Sequence, residues 1–311
     1  MLLFKNNGIC TYNVIRYLCR AVMIPSLYLH PVQYFHSSGG AAIAYTDTGS
    51  GPCTLLFIHG LANYLPVWNE NIVMLQQHYR CIAIDLPGNG QSERGNLPYG
   101  IPFFADTIAA FIQELNLSNV CLVGHSMGGQ TAITTALRYP QLVQQLVLCA
   151  PAGFEHFSEE DINLFQSALS FGDFLGSPET HIRHAVHKGF DAMPELAQVM
   201  VDELVSIIHS HNSAAYRSMV EQCINSMLHH PTDHRLHELT CPVLVLFGTN
   251  DKQIPNRFLH RIPTAVMAES ATARIPNSEL HLLSCGHFIH MEQAEQVNNL
   301  MIQFIDTHYN H

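Results

Sequence analysis

A serine hydroxyl is a weak nucleophile until a base takes its proton, and the base must itself be held by a third group. Gly124-His125-Ser126-Met127-Gly128 places a serine inside a G-x-S-x-G motif. An apolar run over 119–123 precedes it and a helical pattern follows it, so the serine falls on a sharp strand-to-helix turn. Such a turn strains the serine backbone and presents its hydroxyl at the helix start, and Gly124 and Gly128 leave the room that the turn needs. The helix N-terminus adds partial positive charge where an oxyanion would develop. The competing reading is an elbow retained for its shape in a protein without turnover.

The chain has 21 histidines, and most must be bland. His287 stands apart by position. It follows a predicted strand at 279–283, in Ser284-Cys285-Gly286-His287-Phe288, and precedes the last helical stretch. That is a loop at the carboxyl edge of a sheet, where open α/β folds bind ligands. His125 is expected to point away from the serine because of the turn, and His59, at a strand end, to hold a loop by hydrogen bonds. The orienting acid is expected at Asp251, in Phe247-Gly248-Thr249-Asn250-Asp251, also just past a strand. The order Ser126, Asp251, His287 is the Ser…Asp…His order that follows a nucleophile elbow. Asp85 is the rival, in Asp85-Leu86-Pro87-Gly88, but its strand precedes the nucleophile strand. We read it as a carboxylate that shapes a loop. An oxyanion needs two backbone N–H groups. Met127 follows the nucleophile, and Leu61 is the expected second donor, from the loop His59-Gly60-Leu61-Ala62-Asn63. The chain has no H-G-G-G run, which speaks against a lipase of that type.

The elements that would carry these loops alternate. Short apolar runs predict strands near 32–36, 41–47, 54–58, 80–84, 119–123, 144–149, 242–247 and 279–283. The first two are expected to be antiparallel around Ser37-Ser38-Gly39-Gly40. Helices are predicted near 66–78, 102–116, 127–139, 257–262 and 291–306. Continuous apolar runs such as Val243-Leu244-Val245-Leu246-Phe247 suit strands buried on both faces. This pattern predicts an α/β fold: a mostly parallel eight-stranded sheet with helices on both faces. From about 153 to 237 the patterning is helical only. The expected division is a tail over 1–30, a core over 31–152 and 238–311, and an inserted helical cap over 153–237. Phe154, Phe157, Phe165, Phe171, Phe174 and Phe190, with Met193, Met200, Met219 and Met227, lie in the cap. Some can line an acyl pocket, although a cap needs a core of its own. His181, His184 and His187 recur at spacing three without a fixed acidic ligand, and His229 and His230 are adjacent; none is expected to bind a metal.

Phe57-Ile58-His59-Gly60, Asp85-Leu86-Pro87-Gly88-Asn89-Gly90-Gln91-Ser92, Gly124 through Gly129, Gly248 to Asp251 and Gly286-His287-Phe288 together resemble the α/β-hydrolase superfamily. More narrowly, they are similar to its capped serine esterase and carbon–carbon hydrolase branch. The resemblance covers roughly residues 31–311 and is weakest over the cap. It implies the fold, the cap and the triad. Asn89 stands where relatives often place His. Relatives that act as dehalogenases or epoxide hydrolases use Asp as nucleophile, and Ser126 argues against both.

Composition sets the outer bounds. The 311 residues are 47% hydrophobic and 13% charged, enough for a real core. A net charge of −11 disfavours nucleic acid and anionic lipid as partners. Nine cysteines, with no C-x-x-C pair and several at strand entries (Cys53, Cys81, Cys121 and Cys241), read as buried thiols in a reducing cytoplasm. No run reaches the length of a membrane span or a secretory signal, so no integral membrane association is expected. Ile9, Tyr12, Ile15 and Leu18 recur every third residue in a basic segment, a pattern able to make weak peripheral membrane contact; Met23 is an alternative start. The expected function is a serine hydrolase that cleaves an uncharged, partly apolar ester through an acyl-enzyme. Its partner is a small-molecule acyl substrate, and no cofactor or metal is required. Hydrolysis of a carbon–carbon bond in a diketone or ring-cleavage product would use the same triad. A ligand receptor with little turnover is the reading from another class. Nothing in the sequence specifies an oligomeric state.

Overall fold

The structure is a computed structural model, and it describes residues 27–36, 41–172, 178–210 and 213–309. The predicted turn at 37–40, the amphipathic segment around 9–18 and Phe174 lie outside the described residues, as do the side chains of Phe171 and His181. Eight strands form one sheet: β1 Gln33–His36, β2 Ala42–Thr48, β3 Thr54–Ile58, β4 Arg80–Ile84, β5 Val120–His125, β6 Gln145–Cys149, β7 Val243–Gly248 and β8 Ser278–Leu283. Their spatial order is β1-β2-β4-β3-β5-β6-β7-β8. β1 and β2 pair antiparallel, as do β2 and β4, and every later pairing is parallel. β3, β5, β6 and β7 are buried at every residue, which is why they read as unbroken apolar runs.

The helices are α1 Asn69–Leu75, α2 Ile101–Glu114, α3 Met127–Arg138, α4 Glu159–Gly172, α5 Pro178–Gly189, α6 Glu195–Ser210, α7 Ser213–His229, α8 Thr264–Thr272, α9 Ile289–Glu292 and α10 Ala294–Tyr309. A short 3-10 turn, Leu65–Trp68, leads into α1. The helix expected at 257–262 is absent; the helix here is α8, with Pro263 as its N-cap. A proline disfavours helical backbone in the residue before it and starts a helix well. That moves the helix beyond Ile262. Helices α4 to α7 all fall between β6 and β7.

The sheet order decides where a site can form. The chain runs from β3 to β4 on one side, then returns to place β5 on the other side of β3. The loops leaving β3 and β5 therefore part in opposite directions, and the crevice between them is the topological switch point where such sheets bind ligands. Those two loops hold Gly60–Asn63 and Ser126.

Candidate active site

Ser126 is the N-cap of α3 with φ 54° and ψ −119°, a strained conformation for a residue with a side chain. The turn closes only around glycines. A Cβ on Gly124 would sit 2.4 Å from the Gly128 carbonyl oxygen, and one on Gly128 would sit 2.2 Å from that of Ile58. The Gly60 backbone passes beside the elbow so closely that a Cβ there would be 3.2 Å from that of Ser126. This brings the Gly60–Leu61 loop against the serine. The N–H groups of Leu61 and Met127 donate no hydrogen bond among the described residues.

Asp251 and His287 meet at the neighbouring strand ends. His287 Nδ1 lies 2.8 Å from Asp251 Oδ2, with both side chains almost wholly buried. The other oxygen, Oδ1, accepts from the N–H groups of Gln253 at 2.7 Å and Ile254 at 2.9 Å, so the carboxylate cannot rotate. An ionised carboxylate only accepts. Neutral His287 therefore keeps its proton on Nδ1 and has Nε2 available as a base.

His59 and Asp85 do what the sequence reading expected of them. His59 Nε2 accepts from the Leu86 N–H at 3.0 Å while Nδ1 donates to the Gly60 carbonyl at 2.8 Å. Burial pushes its pKa down to about 4, so it remains neutral. Asp85 accepts from Leu65 N–H at 2.7 Å, Gln91 N–H at 2.8 Å and the Tyr28 hydroxyl at 2.5 Å. Burial raises it to about 6 against those donors.

His125 has a larger part than the sequence suggested. Its ring packs against that of His287, with centroids 4.8 Å apart. Its Nε2 lies 3.1 Å from the His287 carbonyl oxygen. Behind it His290 is buried between Trp68 and His125, at 4.3 and 4.4 Å. Burial lowers His290 to about 3 and holds His125 well below the usual imidazole range. A neutral stack thus backs His287 and adds no positive charge to it. Nothing in the sequence marked His290, because its burial comes from Trp68 and His125, two residues remote in the chain.

The cavity in front of Ser126 and His287 has a volume of about 580 Å³, within the usual range for small-molecule sites. Its wall is mainly apolar. Of the cap's aromatic and methionine residues, Phe157, Phe165 and Met227 line it, whereas Phe154, Phe190, Met200 and Met219 are buried in the core and Met193 packs against that core. Glu155, Glu221 and Arg217 are the acidic and basic residues on the wall. Among the described residues no group of three His, Cys, Asp or Glu side chains could hold a metal ion.

A mostly parallel eight-stranded sheet with a strained serine at its switch point defines the class of enzyme. The family model that matches residues 54–294 is that of the alpha/beta hydrolase fold, and the chain belongs to this family. It is 28% identical over 285 residues to a 2-hydroxy-6-oxononadienedioate/2-hydroxy-6-oxononatrienedioate hydrolase of Paraburkholderia phymatum, covering 85% of this chain and 90% of that protein. An esterase from Exiguobacterium antarcticum superposes with a TM-score of 0.72 at 21% identity, over 88% of this chain and 99% of its own. A meta-cleavage product hydrolase superposes with a TM-score of 0.69 at 24% identity, over 88% and 98%.

Proposed function

We propose that this protein is a serine hydrolase that cleaves an uncharged, partly apolar ester through an acyl-enzyme, with helices α4 to α7 acting as its cap. The observation that carries this is the buried His287–Asp251 hydrogen bond opening on the same cavity as the strained Ser126. Ser126 Oγ attacks the ester carbonyl while His287 Nε2 takes its proton. The N–H groups of Leu61 and Met127 hold the oxyanion. His287 returns the proton to the departing alkoxide, and the alcohol leaves. A water then gives its proton to His287 and attacks the acyl carbonyl, and the acid and free Ser126 are released. The apolar wall favours an acyl or alcohol portion without charge.

The test is reaction with a fluorophosphonate followed by peptide mapping. Label should appear on Ser126, and Ser126→Ala should lose both label and release of nitrophenol from acyl esters while remaining folded. Turnover like the wild type in Ser126→Ala would overturn the assignment.

The similarity to ring-cleavage hydrolases supports a second reading, hydrolysis of a carbon–carbon bond by the same residues. Spectral loss of a dienoate chromophore with no hydrolysis of simple esters would favour it.

A further inference from the structure

The loops that carry His287 and Asp251 belong to the sheet, yet their supports come from the inserted helices. The turn between α5 and α6 lies directly on them. The Gly189 carbonyl accepts from the His287 N–H at 2.6 Å. Phe190 stacks on Phe288 with centroids 4.4 Å apart and planes 10° from parallel. Asp191 Oδ2 accepts from the side chain of Asn250, next to Asp251 in the chain, at 2.7 Å. Lys252, on the other side of Asp251, has its Nζ 3.8 Å from Asp191 Oδ1.

Glu292 ties the turn down. One carboxylate oxygen accepts from Gly286 N–H at 3.0 Å, beside the base. The other accepts from the N–H groups of Asp191 at 3.1 Å and Ala192 at 3.0 Å. One carboxylate thus joins segments about a hundred residues apart, through donors that would otherwise lack partners. The fit is close: a Cβ on Gly286 would lie 2.4 Å from the Gly189 carbonyl oxygen, and one on Gly189 would lie 2.4 Å from Gln253 Nε2 and 2.7 Å from the Phe288 ring.

We propose that residues 189–192 are positioning residues for the base and the acid, pinned by Glu292, so that seating of the inserted helices and activation of Ser126 are one event. This rests on the Ser126–His287–Asp251 reading. When the turn lifts, the His287 main chain loses its acceptor and the Asn250 amide loses Asp191. Both loops then relax. When substrate draws the helices down, both loops tighten. A displacement near 1 Å at such a distance from the reacting atoms can lower a rate about 10²-fold.

Gly189→Ala wedges the turn away without removing a polar group, and Glu292→Gln replaces one acceptor by a donor. Two readouts apply to the full-length protein: the rate of fluorophosphonate labelling, and the far-downfield proton resonance of the His287 Nδ1–H shared with Asp251. Both variants should label about ten- to a hundredfold more slowly, with kcat falling much more than KM changes. The resonance should shift or broaden in both. Arg183→Ala loosens ion pairs internal to the inserted helices, those with Glu179 and Asp202, and should leave both readouts unchanged. Unchanged labelling and resonance in Gly189→Ala and Glu292→Gln, with a reactive wild type, would overturn the inference alone. Equal slowing in Arg183→Ala would overturn it as well, by reducing the effect to general loosening. A wild type that fails to label would overturn the Ser126 reading first.

Discussion

Two buried aspartates end strands in this protein, and their partners separate them. Asp251 faces His287, while Asp85 faces two backbone N–H groups and a tyrosine hydroxyl. Asp251→Asn can donate where the carboxylate accepted and so favours the wrong imidazole tautomer. In a comparable triad that change lowers turnover by about 10⁴. Asp85→Asn should instead lower thermal stability and leave turnover within about tenfold, because it touches the loop and not the base. Turnover and unfolding measured on both variants decide the assignment. His290 allows a separate test. Its pKa is about 3 when folded, against 6.5 as the ordinary value. Its neutral burial therefore contributes stability above pH 6.5 that is lost as pH falls toward 3. Each such group changes stability by up to about 1.4 kcal/mol per pH unit. His290→Leu should flatten the acid-side decline of unfolding free energy by about that slope. Parallel curves for variant and wild type would contradict it.

Among the elements, the segment before β1 ties parts of the molecule together. Residues 27 and 28 fall within the stretch expected as tail, yet both make polar contacts. Leu27 N–H donates to Glu203 on α6 at 3.3 Å, and its carbonyl accepts from Asn69 on α1 at 2.9 Å. The Tyr28 hydroxyl donates to Asp85, and Tyr64 donates to Glu203 at 2.7 Å with its ring 5.9 Å from that of Tyr28. Tyr64 follows Asn63 on the cavity wall. The segment therefore fastens an inserted helix to the loop beside the serine. Tyr28→Phe leaves Asp85 short of one donor and should lower unfolding free energy by about 1–3 kcal/mol, with Ser126 labelling retained. An unfolding midpoint equal to the wild type would show that this bond adds nothing.

The protein as a whole carries a net charge of −11, and the cavity wall adds Glu155 and Glu221 against Arg217. Burial raises the pKa of Glu155, and contacts with His260 and the Asn256 N–H oppose that rise. A substrate carboxylate entering here meets two carboxylates against one guanidinium on an otherwise mainly apolar wall. Uncharged acyl esters should therefore exceed dicarboxylate monoesters by about tenfold or more in kcat/KM, one unfavourable contact of about 1.4 kcal/mol giving that factor. Preference for the diacid series in a substrate panel would contradict the uncharged-ester reading. No helix among the described residues is long and apolar enough to cross a membrane.

Most strands were legible because burial on both faces leaves an unbroken apolar run, as in Leu55–Ile58 and Val243–Phe247. The elbow was legible because its glycines answer a local steric need. Ser126, His287 and Asp251 could each be picked out as a residue just past a strand. Which strands are neighbours depends on pairing between distant segments, and no local pattern carries that information. The same holds for the 2.8 Å bond between residues 36 positions apart, for the imidazole of His290 packed behind His125, and for Glu292 reaching across to Asp191. The displaced helix before Pro263 was a local error that proline geometry explains. The non-local contacts were a different matter, because a hydrogen bond between remote segments exists only once the sheet has brought their ends together.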